Sequence, residues 1–311
     1  MFDLTYLERL HLRLAAGVTS LPPGRVAAVC EFLTAQQRSD GGFGGRKGES
    51  DLYYTGFALR GLAIAGALTR EVCERAAAFV RPQFEKAAGV INCVSLLYAG
   101  RLIQMGGGPD LLDDPAADGL ARVVAAVEAH RSADGGYAKK AGGTMGSTYH
   151  TFLAAVVYEM VRQPLPEPVR VLEFLKGRLR DDGGFVELAV MKRSGANPTA
   201  AAVALAQMLG DESLARGATD ALAELQSADE GGFCANRAMP VADLLSTFTA
   251  LVTLQNLGAM ERVEREAARR FVESLAMPSG GFRAGTWDDQ ADVEYTFYGL
   301  GSLALLASAA A

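Results

Sequence analysis

The phrase Asp-Gly-Gly-Phe at Asp40 recurs along this chain. It returns as Asp-Gly-Gly-Tyr at Asp134, Asp-Gly-Gly-Phe at Asp182, Glu-Gly-Gly-Phe at Glu230 and Ser-Gly-Gly-Phe at Ser279. The first glycines of the pairs fall at 41, 135, 183, 231 and 280, in steps of 94, 48, 48 and 49. The long step is two periods of 47, so a degenerate copy is expected near residue 88, where AAGVINCVSLLYAGRLIQMGG stands. A fixed period of this size marks a repeat architecture, in which each unit buries its apolar face only by stacking on its neighbours. Six units account for nearly all of the 311 residues, at about 25–66, 67–107, 118–163, 166–210, 215–258 and 262–308 of a single domain spanning 1–311.

Each unit has the same internal order. An amphipathic helix comes first, as in PVRVLEFLKGRLRDD and REAARRFVESLAM. The glycine pair is expected to end it, because glycine accepts the left-handed conformation of a helix C-cap. A polar loop follows, then a helix that is apolar nearly all round: STYHTFLAAVVYEM, PTAAAVALAQML, DLLSTFTALVTLQNL, DVEYTFYGLGSLALLA. A helix apolar on every face must be surrounded by other helices, so it lies inside and the amphipathic one outside. Six such hairpins predict an all-α fold with two concentric rings of helices, an α/α toroid. Neither end carries a long polar capping repeat, which favours closure of the ring over an open solenoid.

Composition narrows the function. Net charge is −6 and no dense Lys/Arg stripe interrupts it, so a nucleic-acid partner is not expected. The four cysteines are scattered without CxxC spacing, which fits reduced thiols and a cytoplasmic location. The charged N-terminus is unlike a secretory signal, and no run of about 18 apolar residues is present to span a membrane.

The start of each inner helix faces one mouth of the ring. Aligned there are Thr55, Ser95, Thr151, Thr199, Thr247 and Thr296, with Asp51, Ile91, Ser147, Gly195, Asp243 and Asp292 four residues earlier. Asp or Ser at that place caps a helix. The recurring hydroxyl is expected to contact a backbone carbonyl.

The Gly-Gly-Phe turn, the GGFGGR phrase and the Asp-x-x-Tyr-Thr helix entry resemble the β subunits of protein prenyltransferases. More loosely they resemble the prenyltransferase and squalene-cyclase repeat superfamily, over about residues 25 to 308. The resemblance implies a toroid around an aromatic funnel that holds an isoprenoid diphosphate, and a helical-repeat α subunit as partner, with a homo-oligomer as the alternative. It also implies a zinc ion held by Asp and Cys of one phrase and His of the next. Here Asp243 matches the carboxylate, but Leu245 stands at the thiolate position and Tyr295 at the imidazole position. No metal is therefore assigned and no cofactor is expected. Zinc is the alternative, with Cys93 and His150 as the pair to test.

Asp243, Asp292, Glu294, Tyr295 and His150 are the candidate catalytic residues. Arg46, Lys47, Lys192 and Arg193 are the candidate phosphate-binding cations, and Tyr54, Tyr149, Tyr298 and Trp287 the candidate wall. Asp288, Asp289, Asp292 and Glu294 crowd four carboxylates into seven residues, and crowding raises a carboxyl pKa. Glu294 stands apart from its counterparts Tyr53, Cys93, Tyr149, Asn197 and Leu245, because a carboxylate two residues into an apolar helix needs a partner. The leading expectation is isoprenoid-diphosphate binding in the funnel, extending to prenyl transfer without the family zinc. A non-catalytic lipid- or protein-binding scaffold and an acid-initiated terpene cyclase are the alternatives.

Overall fold

The computed structural model describes residues 4–86, 88–112 and 119–307. In chain order its helices are α1 (Tyr6–Val18), α2 (Pro23–Ala35), α3 (Leu52–Ile64), α4 (Arg70–Val80), α5 (Val90–Met105), α6 (Gly119–Glu128), α7 (Thr148–Met160), α8 (Pro168–Lys176), α9 (Ala196–Met208), α10 (Ala218–Ala223), α11 (Leu244–Asn256), α12 (Arg265–Ser274) and α13 (Val293–Ala307). Strands β1 (Cys234–Asn236) and β2 (Met239–Ala242) pair antiparallel in one loop.

The odd-numbered helices from α3 to α13 form the inner ring. Each packs on the next, and α13 packs back on α3. The even-numbered helices lie outside, and the described residues place one in every unit. The sorting follows the sequence: α9 is ANPTAAAVALAQM, buried along most of its length, whereas α12 is REAARRFVES and buries only Ala268, Phe271 and Val272.

The glycine pairs do not cap the outer helices, contrary to the expectation from spacing. Helix α2 ends at Ala35 with Gln36 as its cap, and Gly41 lies in a tight turn closed by Arg38 N–H to Gly42 O and Gly41 N–H to Arg38 O. The chain needs the glycine for a different reason. Gly280 has φ +92°, and a Cβ there would sit 2.2 Å from the carbonyl oxygen of Ala28 on α2. The turn of each intact copy is pressed on the next outer helix, and the last turn is pressed on the first one.

The aromatic after the glycines is a fully buried peg in all five intact copies: Phe43, Tyr137, Phe185, Phe233 and Phe282. Its backbone N–H donates to the recurring threonine at 2.9–3.0 Å, in the pairs Phe43–Thr55, Tyr137–Thr151, Phe185–Thr199, Phe233–Thr247 and Phe282–Thr296. In Thr55, Thr151, Thr247 and Thr296 the hydroxyl also donates to a carbonyl, as Thr247 does to Asp243 at 2.7 Å. The expected carbonyl contact is therefore half of its work, and the other half ties the turn to the inner helix. In the degenerate unit Gly89 is the N-cap of α5, so Ile91 lies inside the helix and not at its cap.

Helix α1 precedes the repeats and was not anticipated as part of the ring. Its Thr5–Glu8 capping box starts it. It then crosses the C-terminal end of the inner ring. Glu159 of α7 accepts from Tyr6 N–H at 2.7 Å, Arg13 donates to Asn256 at 2.6 Å, and Gly17 lies against Ala304 of α13. The inner ring thus has a floor at one end and a mouth at the other.

Candidate active site

Between floor and mouth lies a cavity of about 520 Å³. Tyr53, Phe57, Tyr98, Tyr149, Phe152, Phe248, Phe297 and Tyr298 supply aromatic wall, and Leu7, Leu10, His11 and Leu14 of α1 supply the floor. The aromatics interlock edge to face, as in Phe57 with Tyr298 (5.2 Å between centroids) and Tyr6 with Phe152 (5.3 Å), which fixes the shape of the well.

A second, polar cavity of about 580 Å³ opens above it, lined by Arg46, Lys47, Tyr54, Trp287, Asp288, Asp289, Asp292, Glu294 and Tyr295. The loop of the first unit here meets that of the last. The Arg46 guanidinium grips both carboxylate oxygens of Asp288, at 2.8 Å for Oδ1, and Oδ2 of Asp292 at 3.0 Å, and it lies 5.8 Å from the Tyr295 ring centroid.

Crowding does not act on these acids uniformly. Burial works to raise Asp288, but hydrogen bonds from Arg46 and from the Ala284 and Gln290 N–H groups prevail and hold it below the usual carboxylate range. Asp292 is raised, because burial outweighs Arg46 and the Tyr295 N–H. Glu294 is raised to about 7, chiefly by burial and further by Asp292, against a hydrogen bond from Tyr53. Its partner is thus the Tyr53 hydroxyl, which donates to Oε1 at 2.6 Å. Since Tyr53 lines the well and Glu294 the polar cavity, this hydrogen bond joins the two walls.

The remaining sequence candidates are dispersed. Asp243 caps α11, accepting from Ser246 N–H and Oγ at 2.7 Å each, and burial raises its pKa. His150 is buried at the start of α7, with Nδ1 2.8 Å from Ser147 Oγ, which in turn donates to Glu187. Burial, with help from His130 and Lys139, lowers its pKa to about 4, so it is neutral at physiological pH. Tyr149 and Tyr298 line the well, and Tyr54 and Trp287 line the mouth. Lys192 and Arg193 are exposed and belong to neither cavity wall. Arg46, read as a phosphate ligand, is engaged by two carboxylates.

The donor set does not fit the family zinc site. Asp243 is committed to its helix cap, Leu245 lines the well and Tyr295 is an un-ionised phenol raised to about 12 by burial and nearby acids. Cys93 Sγ points at Val123 O, 3.9 Å away, and burial pushes that thiol up to about 12. Among the described residues no three His, Cys, Asp or Glu side chains gather as a metal site.

The prenyltransferase alpha-alpha toroid domain model matches residues 18–91, 105–235 and 211–311. The chain belongs to this family. Its fold is shared with Candida albicans protein geranylgeranyltransferase-I, solved with GGPP (TM-score 0.70, 15% identity, 90% of each chain covered). It is also shared with a type II terpene cyclase from Scytonema holding geranylgeranyl dihydroxybenzoate (TM-score 0.62, 13% identity, 97% of this chain and 98% of that one). An unsaturated glucuronyl hydrolase specific for heparin superposes nearly as well (TM-score 0.61, 12% identity, 95% and 97% covered). No curated protein matches the sequence. These toroids serve different chemistries, so the fold leaves function to the site.

Two features of the toroid's interior escaped the sequence reading. One is the α1 floor, which lies before the first repeat. The other is Arg60, a cation that lines the well on α3. The signal for Arg60 was present: its counterparts five residues past the recurring hydroxyl are Gly100, Val156, Ala204, Val252 and Gly301.

Proposed function

We propose that this toroid binds an isoprenoid with its chain in the aromatic well, and that Glu294 at the mouth serves prenyl transfer to an acceptor. The observation that carries the reading is an apolar cavity of about 520 Å³ whose wall residue Tyr53 donates to a buried carboxylate raised to about 7. Its size falls in the range of small-molecule sites, and its wall suits a branched hydrocarbon chain. In the proposed step the C1–O bond of the prenyl diphosphate breaks, and the electron pair leaves with the diphosphate. The acceptor heteroatom bonds to C1, and its proton passes to Glu294. A carboxylate near neutrality is matched to that proton transfer. Tyr53 holds Glu294 in place, since burial and Glu294 itself keep its phenol protonated. Lys47 lines the mouth as a cation for the leaving group, and Arg46 joins it by exchanging a carboxylate for phosphate oxygens.

The raised Glu294 also suits an acid-initiated cyclase. Arg60 weighs against that reading, because a fixed guanidinium in the well opposes a carbocation developing there.

Thermal shift with geranylgeranyl and farnesyl diphosphate tests the binding: a rise in melting temperature is expected, and none at saturating ligand would overturn it. Product analysis with candidate acceptors tests the transfer. Turnover is expected to fall at least about a hundredfold in Glu294→Gln while binding persists. Binding without turnover in the unmodified protein would leave a non-catalytic carrier.

A further inference from the structure

Arg60 is the one Lys or Arg among the described residues lining the well. It lies nine residues beyond the Asp51 cap, about 14 Å along α3, and helical side chains lean back toward the N-terminus. Its guanidinium carbon lies 4.8 Å from the Tyr98 ring centroid and 5.3 Å from that of Phe57. Those faces favour a cation but accept none of its N–H groups in regular hydrogen bonds. Its Nε is buried with no hydrogen-bond partner, and no described carboxylate forms an ion pair with it. Glu187, the other charged residue of the wall besides neutral-leaning His11, is engaged by the Ser147 hydroxyl and the Tyr149 N–H. His11 adds a second buried nitrogen without a partner, Nδ1, in the floor of the same cavity. A cation with unfilled donors among apolar walls is costly unless something pairs with it.

We propose that Arg60 is the docking point for the acid of an amphipathic ligand, a carboxylate on an apolar chain held inside the well. A carboxylate fits better than a diphosphate. Its two oxygens match the planar fork of one guanidinium, and one cation balances one negative charge. A diphosphate calls for several cations, and the others near its path, Arg46 and Lys47, belong to the mouth. The inference rests on the reading of the well as an isoprenoid site only for the nature of the chain; the acid preference rests on Arg60.

The test is calorimetric binding of farnesoic acid, farnesol, farnesyl diphosphate and palmitic acid to the full chain and to Arg60→Gln and Arg60→Lys. Farnesoic acid is expected to bind the unaltered protein about tenfold or more tighter than farnesol. In Arg60→Gln the two should bind within about twofold, with farnesol unchanged, and Arg60→Lys should keep part of the preference. Equal binding of acid and alcohol to the unaltered protein, or a preference that survives Arg60→Gln, would overturn the proposal. The first comparison needs no variant, so a folding failure cannot shelter it. Palmitic acid binding as tightly as farnesoic acid, with the same dependence on Arg60, would keep the acid site and remove the isoprenoid chain. Farnesol or farnesyl diphosphate binding with no acid preference would do the reverse.

Discussion

Glu294 shows how one side chain's surroundings become a pH dependence. Its folded pKa of about 7 lies above the ordinary glutamate value of 4.5. Between those values the folded protein holds a proton that the unfolded chain has released, so stability is full below about pH 4.5 and is lost as pH rises through about 7. The size of the loss is about 3 kcal/mol at pH 8. Glu294→Gln is therefore expected to raise the melting temperature at pH 8, and to change it little at pH 5, in paired thermal melts. An equal effect at both pH values would mean that the carboxylate is not held near neutrality. This residue was legible because its own helix contradicted it: a charge among apolar neighbours demands a partner, and Tyr53 supplies one. Arg60 answers to the same logic in LYYTGFALRGLAI. Nothing in the sequence says which acids an arginine meets, and the capture of Arg46 by Asp288 and Asp292 joins residues more than 240 positions apart. Such pairings are made by ring closure and are invisible to local pattern.

At the scale of the element, the turn and the inner helix are one device. The buried N–H of the aromatic and the buried hydroxyl of the helix start are satisfied by each other, so the peg and the helix start cannot shift independently. Thr199→Val keeps the shape but leaves the Phe185 N–H without its acceptor, 2.9 Å away in the intact protein. The expected loss is about 1–3 kcal/mol, the penalty for a buried unsatisfied donor. Thr199→Ser, which retains the hydroxyl, should lose less than half as much. Urea denaturation of the two variants checks this; equal losses would mean that the methyl group and not the hydrogen bond matters. The repeat spelled out the hydroxyl and the peg but not their bond, because the two lie 12 or 14 positions apart across a loop of varying sequence. It misassigned the glycines for a related reason. A glycine pair after an amphipathic stretch reads locally as a helix cap, whereas here it is required by close approach to the next unit.

On the scale of the whole molecule, the seam between first and last units is built like the other joints. Gly280 seats its turn on α2 as Gly231 seats its own on α12, and α13 meets α3 as α11 meets α13. The seam also carries the Arg46 ion pairs at the mouth, and α1 packs on both α13 and α3 as the floor. An open solenoid tolerates loss of a unit, since each unit answers only to its neighbours. A closed ring does not, because the turn between inner helices must widen from a sixth to a fifth of a circle at every joint. Deleting residues 211–258, the α10–α11 hairpin with its turn and loop, joins Gly210 to Ala259 and preserves the local pattern, since Gly258 ends its helix with φ +67° much as Gly210 does with φ +76°. The helices that remain, α9 and α13, are not neighbours in the intact ring and meet no matching face. The deleted chain is therefore expected to lose cooperative thermal unfolding and to bind a hydrophobic dye, while the intact protein melts in one transition. A sharp, native-like melt of the shortened chain would show that its units stand by pairwise stacking alone. The well would then owe its shape to neighbours and not to closure.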